Sequence, residues 1–195
     1  MESGIDLNRI PSPEVFKTLS PDEQEAILAL DTIKEFKKGD YLLKEGAYFK
    51  ESFFVVEGLV RQFHLYNDEE KTTEFYTADQ SIYTSTSAFA PKKSNFSLVC
   101  LEDSRVSVVS FETEIRIYKK FPRFQEMCRI ATEQNLLEFQ GRFQKFISQS
   151  PEERYLTMLD DRPELLERVP QYHLASYLGV KPESLSRIRK RLARK

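Results

Sequence analysis

The chain has 195 residues, 40% of them hydrophobic and 31% charged, which is enough for one large domain or two small ones around a true core. Its 29 basic and 31 acidic residues give a net charge of −2. The last fifteen residues alone carry +6, so the first 180 carry −8, and an acidic body with a basic end is a charge pattern for a localised polyanion contact. Two cysteines and two histidines exclude a disulfide framework, a cysteine-ligated iron–sulfur cluster and a four-cysteine zinc site, and no apolar run reaches membrane-spanning length.

Residues 1–32 read as short helices. Ser12-Pro13 and Ser20-Pro21 each pair an N-cap residue with a proline in the first turn. Ser20 with Glu23 fits a capping box, after which Ile27, Leu28 and Leu30 can pack inward. The start lacks a basic-then-apolar signal pattern, so the expected setting is a reducing cytoplasm.

From 33 to 112 short aromatic and β-branched runs alternate with turn signals. The runs are Tyr41–Leu43, Phe53–Val56, Leu59–Tyr66, Thr72–Tyr76, Phe96–Leu101 and Val106–Phe111. Many short strands at this spacing predict an antiparallel sandwich or barrel rather than a parallel sheet with crossover helices.

Between 113 and 149 the period becomes helical. Residues 112–121 form a short helix, and Pro122 restarts it. Apolar residues then recur every three or four positions for about 25 residues, roughly 38 Å of helix at 1.5 Å per residue. Such a stripe needs a partner. Phe124, Met127, Cys128, Ala131, Phe139 and Phe143 are the candidate seam with a second copy, and part of the stripe is expected to pack on the chain's own strands. Gln134, Asn135 and Arg142 interrupt it and could set register.

Residues 150–195 form a small helical unit. Ser150-Pro151-Glu152-Glu153 is a second capping box, and Pro163, Pro170 and Pro182 each open a helix. Within it Ala175, Gly179 and Leu185 have helix-turn-helix spacing. The small residue permits close approach, the glycine takes the left-handed turn, and the leucine packs the second helix on the first. Lys181 is an unusual N-cap, since serine or threonine would bond the orphan amides better. The second helix has two faces: Leu185, Ile188 and Leu192 on one, a basic and polar set on the other. Candidate DNA-contacting residues are Lys181, Glu183, Ser184, Ser186, Arg187, Lys190, Arg191 and Arg194. Arginine can bond guanine O6 and N7 together, glutamate can accept from cytosine N4, and the remaining cations can meet phosphates.

With these motifs in place, residues 33–195 resemble the bacterial family of the cyclic AMP receptor protein and the fumarate–nitrate reduction regulator, the Crp/Fnr family. Gly39, Gly46 and Gly58 match the glycines of its β-roll, and Glu183-Ser184-Leu185-Ser186-Arg187 is similar to the E-x-x-S-R pattern of the fumarate–nitrate branch. The resemblance implies an α+β protein: an antiparallel, jelly-roll-like β-roll of the cyclic-nucleotide-binding type at 33–112, helices including a long dimerisation helix at 113–149, and a helix-turn-helix domain at 150–195. It implies that Glu183, Ser186 and Arg187 read bases. It further implies a homodimer on a near-palindromic double-stranded operator, with RNA polymerase and a small-molecule effector as further candidate partners.

The family's phosphate cassette opens on Gly-Glu and closes on Arg-Ser or Arg-Thr. The matching stretch, Asp79 to Phe96, holds no glycine, glutamate or arginine, so cyclic AMP binding by that mechanism is not expected. Tyr83, Ser85, Thr86, Ser87, Asn95 and Phe96 are candidates to line a small polar pocket for another ligand, or to fill it. His64 reads as a structural histidine in a strand, His173 as exposed or near a phosphate, and Cys100 and Cys128 as small buried residues. The chain ends soon after the recognition helix, without the β-hairpin that gives some members extra phosphate contacts. No cofactor, metal or catalytic residue is expected. A jelly-roll enzyme is disfavoured by two histidines more than 100 residues apart. The remaining alternative is a ligand- or protein-binding β-roll whose basic tail only assists.

Overall fold

The structure, a computed structural model, describes residues 18–30, 32–82 and 93–193. Helix α1 (Pro21–Leu28) opens with the expected capping box: the Ser20 amide donates to Glu23 Oε2 at 2.8 Å, and the Glu23 amide donates to Ser20 Oγ at 3.4 Å. Leu30 is half-buried, while Ser12-Pro13 and the side chains of Ile27 and Leu28 lie outside the described residues.

Eight strands follow: β1 (Ile33–Phe36), β2 (Tyr41–Leu43), β3 (Glu51–Glu57), β4 (Val60–Tyr66), β5 (Glu69–Tyr76), β6 (Gln80–Ile82), β7 (Ser97–Cys100) and β8 (Ser104–Ser110). They form two four-stranded sheets, ordered β1-β8-β3-β6 and β2-β7-β4-β5. The antiparallel registers set Phe53 opposite Ile82 and Val108, and Val55 opposite Val106. Alternate residues of each strand thereby meet in one core with Leu43, Phe49, Val60, Leu98 and Cys100. β1 and β6 are additions to the sequence reading. Ile-Lys-Glu-Phe and Gln-Ser-Ile are short and half polar, so they carry little strand signal of their own.

Two turns depend on backbone handedness. Gly58 joins β3 to β4 at φ +108°, where a Cβ would lie 2.7 Å from the Cα of Ser104. Asn67 and Asp68 join β4 to β5 with φ of 50° and 62°. That is the two-residue, left-handed geometry matching the twist of a tight hairpin.

Five helical stretches continue the chain, α2 (Phe111–Lys120), α3 (Pro122–Ser148), α4 (Pro151–Asp161), α5 (Glu164–Arg168) and α6 (Gln171–Tyr177), and a sixth, α7 (Pro182–Leu192), closes it. Ser110 caps α2, and Ser150 with Glu153 forms the predicted capping box of α4. α3 runs 27 residues, of which none is buried.

The chain divides into two compact units: residues up to 62 with 75–131, and residues 63–74 with 132–195. The first holds the sheet core. The second joins the tip of the β4–β5 hairpin to the C-terminal helices, whose own core includes Tyr155, Met158, Leu165, Val169, Leu174, Leu178, Leu185 and Ile188.

Candidate nucleic-acid interface

α6 ends in a Schellman turn. The Val180 amide donates to Ala175 O at 2.9 Å, the Gly179 amide donates to Ser176 O at 3.1 Å, and Gly179 takes φ +69°. Ala175 is fully buried, and Leu185 and Ile188 of α7 are buried with it, as the spacing predicts. Lys181 precedes α7 with extended backbone and no side-chain cap, and Pro182 fills the first turn. The amides of Ser184 and Leu185 close on Lys181 O instead.

The outer face of α7 exposes Lys181, Glu183, Arg187, Lys190 and Arg191, with Ser184 and Ser186 half-exposed. Arg194 lies outside the described residues. Arg191 is ion-paired with Glu152 of α4, so one cation of the predicted set is engaged within the fold. Arg187 and Lys190, three residues apart, remain exposed on one face of α7, and Lys181 is exposed at its N-cap. His173 does not fit the exposed, phosphate-facing reading. It is buried at 8% exposure against the Tyr172 ring, with centroids 4.0 Å apart, because it sits on the inner side of α6 between Tyr172 and Leu174.

Two supporting clusters were not visible in the sequence. Arg154 of α4 donates to three main-chain carbonyls: Leu178 at 3.0 Å in the turn, and Phe146 and Gln149 at 3.1 Å each at the end of α3. Its guanidinium also lies 4.5 Å from the centroid of the Phe146 ring. One side chain therefore caps α3 and holds the turn against it, satisfying orphan carbonyls where the helix dipole favours a cation. The second cluster centres on buried Glu74 of β5. Its Oε2 accepts from Arg142 of α3 at 2.9 Å, and its Oε1 accepts from Arg162 at 3.1 Å. Arg142, read as a register-setter in the stripe, is thus occupied within its own chain. Tyr177 lies in the same field: burial pushes its hydroxyl pKa up, and the Glu74 charge adds to that shift.

The α3 stripe splits by height. Phe124, Met127, Cys128 and Ala131 are half-buried, with the Phe124 ring 6.1 Å from that of Tyr118. Phe139 and Phe143 are more than half exposed and stack on each other at 6.2 Å. Leu136, Leu137 and Ile147 join them as exposed apolar residues.

In the β-roll, Cys100 is buried as expected, and burial pushes its thiol up to about 11. Cys128 is only partly buried, and its thiol is pushed up by desolvation too. Of the candidate pocket, Tyr83, Ser85, Thr86 and Ser87 lie outside the described residues. Asn95 is exposed, and Phe96 packs on the sheet core. A groove of about 450 Å³ lies elsewhere, lined by Tyr41, Lys44, Tyr48, Phe49, Glu51 and Phe53 among others. Among the described residues, no group of three or more His, Cys, Asp or Glu could hold a metal, and no helix is long and apolar enough to cross a membrane.

The strand order, the glycine turns and the long helix can now be set beside known proteins. The family model of the cyclic nucleotide-binding domain matches residues 33–120. Over that stretch the chain is similar to the cyclic nucleotide-binding domain. The name denotes the fold family; the cassette departures at Asp79–Phe96 stand within it. No curated protein matches the chain by sequence. Solved structures do match its fold. FixK2 from Bradyrhizobium japonicum is 18% identical with a TM-score of 0.68, over 83% of this chain and 84% of that one. The c-di-GMP-responsive global regulator CLP of Xanthomonas campestris is 15% identical with a TM-score of 0.67, over 89% and 92%. A mutant of CooA from Carboxydothermus hydrogenoformans is 16% identical with a TM-score of 0.63, over 83% and 76%. The chain shares with these structures the α+β fold of the cyclic nucleotide-binding domain and its following helices.

Proposed function

We propose that the protein is a homodimeric transcription regulator that reads double-stranded DNA through α7. The observation carrying this reading is the two-faced helix itself. It is seated by Leu185 and Ile188 behind a glycine turn, leaves Glu183, Arg187 and Lys190 on one exposed face, and has Lys181 exposed at its N-cap. In this reading Glu183, Ser186 and Arg187 meet base edges, and Lys181, Ser184, Lys190 and Arg194 meet the backbone. Arg191 serves the α4–α7 packing through Glu152 rather than DNA. The exposed end of α3, from Leu136 to Ile147, is the seam that brings two recognition helices to half-sites one turn apart. The neighbours support a regulator, one of them by its link to gene expression. A cytoplasmic setting suits a chain with two cysteines that form no disulfide with each other.

Selection from a random duplex library with purified protein tests this directly. The expected result is enrichment of a two-fold-symmetric site, with affinity falling by roughly 10³ to 10⁵ between 50 and 200 mM salt if about six to ten phosphates are met. Arg187→Ala should lose about 1–3 kcal/mol of discrimination at one position of each half-site. Unchanged selectivity in that variant would remove α7 as the reading element. It would leave a ligand- or protein-binding β-roll as the function.

A further inference from the structure

The β4–β5 hairpin does two things at once. Its strands belong to the sheets, yet residues 63–74 form a compact unit with the C-terminal helices. The seat is specific. Ser176 on α6 accepts from the Thr72 amide at 2.9 Å and donates to Glu70 O at 3.3 Å, a reciprocal pair of bonds to the hairpin backbone. Two residues along the strand from Thr72, Glu74 is fixed by Arg142 and Arg162. Four bonds from one strand thus reach α6, α3 and the C-cap of α4, and α6 leads into the turn before α7.

The tip so held is strongly acidic. Asp68, Glu69 and Glu70 are all exposed, against a single Lys71 whose ammonium is engaged by Glu69. The tip lies within electrostatic reach of Lys181: the Glu69 carboxyl is held below its usual range first by Lys71 and additionally by Lys181. Lys181 is the residue that opens α7.

We propose that this hairpin is an autoinhibitory strap on the DNA-reading unit. Seated through Ser176 and anchored through Glu74, it holds the carboxylates of Asp68, Glu69 and Glu70 beside the N-terminal end of α7, where they oppose an approaching phosphate backbone. The inference rests on the DNA-binding reading given above. Charges of one sign beside a binding face lower the local concentration of a like-charged partner, and salt screens the effect.

The test uses the full-length protein and a random-sequence duplex as probe. Asp68→Asn with Glu69→Gln and Glu70→Gln changes only exposed side chains. It should tighten duplex binding about tenfold at 50 mM salt, with the gain shrinking below about threefold at 200 mM as screening grows. A control of equal charge, Glu35→Gln with Glu45→Gln and Glu112→Gln, should gain far less, because those exposed acids lie in the other unit. Ser176→Ala removes the seat, so hydrogen exchange at the Thr72 amide should accelerate and binding should tighten in the same direction. Equal gains in the two charge variants, or no gain in the hairpin variant, would overturn the strap while leaving DNA binding intact. Failure of every form, wild type included, to bind duplex would overturn the DNA-reading function itself.

Discussion

Replacing Arg154 with methionine should unfasten the turn before α7 with little change of volume. The side chain makes three hydrogen bonds to carbonyls and one cation–π contact. The guanidinium is half-exposed, so each charge-assisted bond is discounted for solvent to about 1 kcal/mol, the value of a typical neutral bond. The ring contact adds about 0.5–1 kcal/mol. The expected loss is therefore about 3–4 kcal/mol, a large part of the 5–15 kcal/mol typical of a domain. Arg154→Lys keeps a charge near the end of α3 but not the planar fork. It should recover only about 1 kcal/mol. Urea unfolding followed by far-ultraviolet circular dichroism reads both values. A methionine variant that loses less than about 1 kcal/mol would refute the assignment of Arg154 as the clamp between α3 and the turn.

Three other outcomes follow from the same structure. Gly58→Ala forces a Cβ against Ser104 at φ +108° and should destabilise the roll by about 2–3 kcal/mol, measured by thermal or urea unfolding. Phe139→Asp with Phe143→Asp places charge in the exposed stripe of α3 and should convert the proposed dimer to monomer in sedimentation, with loss of symmetric-site binding but an intact circular dichroism spectrum. Glu153 is held below its usual carboxyl range by the Ser150 side chain and amide. Its folded pKa is therefore depressed. The capping contribution is present above the unfolded carboxylate range and is lost as pH falls through the folded value, so Glu153→Gln should flatten the acid limb of the stability profile.

Local rules made much of this fold readable. Ser150 and Glu153 announce α4 three residues apart, Gly179 announces the turn, and Phe53 and Val55 show which side of β3 faces inward. What was not readable depends on residues distant in the chain. Glu74 meets Arg142 and Arg162 across 68 and 88 positions, and nothing in the alternation of β5 distinguishes it from a solvated glutamate. Arg191 belongs to the same solvent-facing arc of α7 as Arg187, but its partner Glu152 lies 39 residues back. His173 looked exposed because it sits next to Gln171 and Tyr172, and only the packing of α6 turns it inward. The stripe of α3 is continuous in sequence, and nothing in it marks that Phe124 meets Tyr118 of a different helix while Phe139 and Phe143 stay exposed.

The bareness of α3 has a consequence for how much active protein a cell holds. If the exposed residues from Leu136 to Ile147 are roofed only by a second copy, assembly scales with the square of protomer concentration. Below the dimer dissociation constant, halving synthesis would cut the assembled form by nearly four. Occupancy of a two-half-site operator would then fall more steeply than expression does, giving the regulator a threshold in its own abundance before any effector acts.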